Sequence, residues 1–173
     1  MDVHTGADVR DRVEPADSSR IYAEGIMAGV LGAATIAAWF LLVDLIYGRP
    51  FFTPTVLGTA LFRGGAGLES PEMLEVSFEM VTVFTWIHLL VFAVIGGLAA
   101  RLIAFVERTP NSGFGVLLLF VIFECGFVAA SMVFAQAVLE ALGSVSVLIG
   151  NLLAAVAMVM YFRWRHPTLR IEP

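Results

Sequence analysis

The chain has 173 residues, 59% of them hydrophobic and 14% charged, with a formal net charge of −5 and a mean hydropathy of +0.88. Soluble domains carry about a quarter charged residues, and here the few charges crowd into short groups separated by long apolar stretches. The pattern excludes a soluble globular enzyme, a nucleic-acid binder and a disordered chain, and it indicates an integral membrane protein.

Residues 1–24 are polar, contain Pro15 and mix acids with arginines. An acidic start with no short apolar core behind it is unlike a signal peptide. A cytoplasmic tail is expected here, with a helix cap near Asp17-Ser18-Ser19. Four apolar stretches follow, at 25–47, 80–100, 114–139 and 145–162. Each has roughly the 20 residues that a helix needs to cross a bilayer. Backbone groups must be satisfied internally in lipid, so helices are the expected spanning form.

With their flanks, the spans are predicted at 25–47, 78–104, 113–140 and 144–164, inside a membrane domain of residues 25–165. A second cytoplasmic tail is expected at 166–173. The links at 109–113 and at Gly143-Ser144 are short, which favours antiparallel neighbours. The expected fold is therefore all-α, a polytopic membrane protein with four transmembrane helices in an up-down bundle.

The external loop, 48–77, is the longest connection and predicts a short helix over about 54–63. Thr53-Pro54 reads as an N-cap followed by proline at the first helical position, and Arg63-Gly64 as a helix stop. Val56, Leu57, Ala60 and Leu61 share one side of this helix, so it is expected to lie along the outer interface. Ser70-Pro71-Glu72 should then start the second long helix.

Orientation follows from the arginines. Arg10, Arg12, Arg20, Arg101, Arg108, Arg163, Arg165 and Arg170 fall on one side and only Arg49 and Arg63 on the other. The positive-inside rule places both termini in the cytoplasm, at the cell's inner membrane. The opposite face carries Asp44, Glu69, Glu72, Glu75, Glu79 and Glu140. Solvated helix ends are the plain reading, and a docking face for a cationic partner is the sharper one.

Small residues mark the packing surfaces, because close backbone approach drives helix association in lipid. They are Gly25, Gly29, Ala33 and Ala37 on the first span, and Ala93, Gly96, Gly97 and Ala100 on the second. Ala130 and Ser131 follow on the third, and Gly150, Ala154 and Ala155 on the fourth. The pattern does not say whether these residues meet within one chain or across subunits.

Counting 1.5 Å per residue from the span centres puts Thr35, His88, Glu124 and Asn151 within ~5 Å of the midplane. One reading is a hydrogen-bonded cluster that fixes helix register. The other is a proton relay through Glu124 and His88. His88 is also a candidate axial ligand to a haem or a chlorophyll-type magnesium, although the sequence requires no cofactor. An outer polar level gathers Asp44, Glu79 and Gln136, with Glu140 nearby. An Asp44–Arg49 contact explains Asp44 plainly. The alternative is a vestibule under the short helix, with Thr82 and Thr85 as steps toward His88.

Cys125 is the only cysteine, and the histidines are His4, His88 and His166. An intrachain disulfide, a CxxC pair and a multi-histidine metal site are thereby excluded. No nucleophile–base pair or metal constellation has the spacing of an enzyme. The expected function is a non-catalytic accessory subunit, packing in the bilayer with other membrane subunits or with itself. A small proton-coupled transporter using Glu124 and His88 is the alternative, followed by a haem or pigment carrier through His88.

Overall fold

The computed structural model describes residues 14–66, 68, 70, 73–108 and 142–166. Four helices are present among them and no strand: α1 (Glu14–Ile46), α2 (Phe52–Phe62), α3 (Phe78–Arg108) and α4 (Ser144–Arg165). Within α1, α3 and α4, the segments Ser19–Ile46, Phe78–Ala104 and Val145–Arg165 are long and apolar enough to cross a membrane. The expected third span, 113–140, lies outside the described residues, and with it Glu124, Cys125, Gln136 and Glu140.

The central element is α1. Gly25 faces Gly96 and Gly97 on α3, Gly29 faces Phe92 and Ala93, and the His88 ring reaches Ala33. Residue numbers rise on α1 as they fall on α3, so the two helices are antiparallel. The same holds for α4, since Trp39 meets Ser146, Gly32 meets Met158, and Glu24 meets Arg165. Consequently α3 and α4 run in the same direction, both opposed to α1.

Glycine decides how closely α1 and α3 approach. A Cβ at Gly25 would lie 2.5 Å from the Gly96 carbonyl oxygen, and one at Gly29 would collide with the Phe92 carbonyl. A Cβ at Gly96 would in turn strike the Gly25 carbonyl. The small-residue ladder therefore packs one helix of this chain on another, where removing side chains lets backbones touch. Around the seam, Ala28, Ala99, Ala100, Met158 and Phe162 form one buried cluster, and Ala33, Phe92 and Ala154 form a second.

Several helix boundaries differ from expectation. α1 starts at Glu14, ahead of the Asp17-Ser18-Ser19 cap. It ends in a Schellman turn: the Gly48 N–H donates to the Leu45 carbonyl (3.0 Å) and the Arg49 N–H to the Asp44 carbonyl (2.8 Å). Gly48 takes φ +68°, which lacks a steric cost only for glycine.

The start of α2 is also displaced. Its first residue is Phe52, not Pro54, and Phe51 before it adopts φ 65°. The capping acceptor is the carboxylate of Asp44, which receives the Thr53 N–H at 2.8 Å and the Thr53 hydroxyl at 2.7 Å. Arg63 ends the helix as expected, with its N–H on the Thr59 carbonyl and Gly64 at φ +60°.

Of the apolar side Val56, Leu57, Ala60 and Leu61, only Val56 is buried. Thr53, Thr55, Val56, Gly58 and Thr59 are buried, while Leu57, Ala60 and Leu61 are half-buried. Gly58 sits against the backbone of Met80, so α2 is docked on the first turn of α3. Val56 and Leu68 anchor this corner, with Phe52, Leu74 and Leu142 packed around them.

The second long helix begins at Phe78 and not near Pro71. Ser77 is its cap: its Oγ accepts the Met80 N–H at 3.4 Å and its carbonyl accepts the Val81 N–H at 3.0 Å. The Ser77 N–H is itself held by the Thr55 hydroxyl at 3.3 Å. A tertiary contact from α2 therefore fixes where α3 starts. The serine at 77 outcompetes the Ser-Pro-Glu signal.

Candidate functional site

The polar side chains at membrane depth fall on three levels of α1, and each joins it to another element. At one end lies Glu24, only 8% exposed. Its Oε1 takes the Arg165 guanidinium at 2.6 Å and Arg20 at 3.3 Å, while Oε2 lies 3.1 Å from His166 Nε2. Arg163 and Arg165 occupy the last turn of α4, where the helix dipole favours cations. Beside this cluster, Arg101 on α3 hydrogen-bonds to the Tyr22 hydroxyl, with its guanidinium over the ring. Both flanking helices are thus fastened to the N-terminal third of α1 by arginine.

Halfway along, His88 Nε2 lies 3.3 Å from the Ala33 carbonyl oxygen. A carbonyl only accepts, so Nε2 carries the hydrogen and donates across the α1–α3 seam. The ring stacks on Phe84 (centroids 5.6 Å apart) and tilts against Phe92 (4.8 Å). Axial ligation through Nε2 needs the lone pair that this tautomer lacks, and would require breaking the bond to Ala33.

Toward the other end, the indole Nε1 of Trp39 donates to the Ser146 carbonyl at 2.9 Å, tying α1 to the start of α4. Gly150 makes room for that indole, whose Cδ1 lies 3.0 Å from where a Cβ would be. Asp44, 4% exposed, completes the third level. Its backbone carbonyl ends α1 and its carboxylate starts α2.

Of the expected midplane cluster, His88, Thr35 and Asn151 fall among the described residues. His88 meets Ala33, and the Thr35 hydroxyl donates back to its own helix at the Leu31 carbonyl (2.8 Å). Asn151 is half-buried on α4 between the buried Gly150 and Ala154. Glu124, the fourth member, lies outside the described residues.

At the outer level the Asp44 carboxylate goes to Thr53, and its link to Arg49 is through the backbone. The Arg49 guanidinium reaches the Leu74 carbonyl and lies 3.7 Å from the Phe52 ring centroid. Glu79 pairs with Arg63 at 3.2 Å in an exposed position. Thr82 and Thr85 sit on the exposed side of α3, each bonded to a carbonyl one turn back. His88 faces α1, between the Phe84 and Phe92 rings.

Sequence reasoning missed the roles of Glu24, Trp39 and His166, and it named Thr53 as a cap without its acceptor, Asp44. Arg20 and Glu24 are one turn apart and were legible as an i,i+4 pair. Nothing local pointed to Arg165 or His166, far away in the chain. Among the described residues, no three of His, Cys, Asp and Glu are grouped to hold a metal ion.

Three apolar helices of spanning length, locked by buried polar contacts at both ends, define a small multi-pass helical membrane protein. No protein-family model, curated protein or solved structure matches the chain.

Proposed function

We propose that this chain is a non-catalytic structural subunit of a membrane assembly, built from four crossings in up-down order with both termini in the cytoplasm. The observation that carries the reading is the use made of its polar groups. Glu24, His88, Trp39 and Asp44 each hold α1 to another element. Such bonds fix register and rotation, the requirement for a scaffold with a defined outer surface.

The fourth crossing rests on chain geometry. α3 finishes at Arg108 near the Glu24 end, whereas Leu142 packs with Val56 and Leu68 near the Asp44 end. Residues 109–141 must connect the two ends, a distance on the order of 30 Å, and 114–139 is an apolar stretch of suitable length. The arginine distribution supports the cytoplasmic termini and the inner membrane.

The test is gentle extraction from native membranes followed by native mass measurement and crosslinking. A mass above that of one chain, or a reproducible crosslinked neighbour, is the expected result. A lone monomer with no neighbour would overturn the subunit reading.

A further inference from the structure

We propose that the outward face of α3 around Glu79, Thr82 and Trp86 binds a second copy of this chain. The proposal rests on the assembly reading above and names the partner. Trp86 is two residues, ~3 Å, from His88 and so lies well inside the ~30 Å hydrocarbon layer, and it is 71% exposed. Tryptophan ordinarily collects at the membrane interfaces, where its N–H finds water or headgroups. In hydrocarbon an indole N–H without an acceptor carries a desolvation cost. Among the described residues, the Trp86 indole makes no hydrogen bond.

Acceptors lie on the same side of the helix. The Thr82 hydroxyl donates to the Phe78 carbonyl at 2.8 Å and the Thr85 hydroxyl to the Val81 carbonyl at 2.7 Å. With their hydrogens committed, both oxygens offer only lone pairs to a neighbour. One face therefore holds a donor and two acceptors within a single turn.

Two copies related by a two-fold axis along the membrane normal bring equal depths together. Each Trp86 then lies ~1.5 Å in depth from Thr85 and ~6 Å from Thr82 of the other chain, within reach of an indole side chain, and the contact is made twice. At the rim, Arg63 and Glu79 form an exposed pair of opposite charges. A copy of this neutral pair meets it without repulsion, with each cation near the other chain's carboxylate. The glycine ladder does not compete for this role, because Gly25, Gly29 and Gly96 are consumed in the α1–α3 seam.

The test is disulfide crosslinking in native membranes, in a Cys125→Ser background. Thr82→Cys and Trp86→Cys should give an adduct of twice the chain mass. Ile26→Cys and Leu152→Cys, at exposed positions of α1 and α4, should not. Independently, Trp86→Phe, which removes the N–H from both copies, should weaken self-association about eight-fold, measured by energy transfer on dilution in detergent. Adducts to a different protein would overturn the second copy and leave the assembly reading standing. Absence of any adduct, with a monomeric native mass, would overturn both. An intrachain adduct between Thr82→Cys and a retained Cys125 would show that residues 114–139 cover the face, which also overturns the proposal.

Discussion

Glu24 and Asp44 stand twenty residues apart on one helix, both buried and both engaged by groups from elsewhere in the chain. At 1.5 Å per residue that separation is ~30 Å, the thickness of a bilayer's hydrocarbon core. The His88–Ala33 bond falls near the middle of the interval. α1 thus carries an acid at each boundary, each neutralised or hydrogen-bonded at its own end. The two acids stand about one hydrocarbon thickness apart.

The Glu24 cluster should behave as a clasp between α1 and α4. Glu24→Leu leaves Arg165 and His166 without their shared carboxylate, and Glu24→Gln retains one acceptor oxygen. Thermal unfolding in detergent should show the order wild type, Gln, Leu from most to least stable. Equal midpoints for all three would mean that the clasp contributes nothing.

Close approach of α1 to α3 should make glycine indispensable at some positions and not at others. Gly29→Ala forces a methyl group into the Phe92 carbonyl, and overpacking of this kind costs ~1–3 kcal/mol. Gly97→Ala meets only the Tyr22 ring edge at 3.9 Å and should fall within ~0.5 kcal/mol of wild type. Denaturation in mixed micelles distinguishes the two, and a tolerated Gly29→Ala would contradict the packing described.

His88→Phe keeps the ring stack with Phe84 and Phe92 and deletes only the bond to Ala33. Interhelical hydrogen bonds in membranes average ~0.6 kcal/mol, so the loss should be of that size. Proton uptake by reconstituted vesicles should be the same for both proteins. A large uptake difference, with folding intact, would favour the proton relay over a purely structural His88.

Asp44 should govern the docking of α2. Losing a helix cap costs ~0.5–2 kcal/mol, and Asp44→Ala also strands the Thr53 hydroxyl. Amide exchange within Phe52–Phe62 should rise in Asp44→Ala and much less in Asp44→Asn, which retains a carbonyl acceptor. Unchanged protection in Asp44→Ala would show that Val56 and its neighbours hold α2 without the cap.

Much of the helical content was legible because helix formation in lipid is a local matter. The Arg63-Gly64 stop is a case: its signal lies in two adjacent residues, and the helix ends there. The start of α3 was not legible, because Ser77 wins through a hydroxyl supplied by Thr55 from another helix. The docked side of α2 was not legible for a related reason: Gly58 meets Met80 and the Thr55 hydroxyl meets Ser77, contacts that no apolar count reveals. At the midplane, depth is readable from residue counting and rotation is not, so the His88 contact with the Ala33 backbone had no signal in the sequence.

The sequence by itself determined that this chain enters a bilayer as helices. Apolar run length and the need to satisfy backbone groups within each segment settle that without reference to any neighbour. The tertiary structure alone decided that α1 is central, that α3 and α4 both oppose it, and which group each polar side chain takes. Those outcomes depend on helix rotation and on contacts between residues as distant as Glu24 and Arg165 or Trp39 and Ser146, which no local pattern encodes.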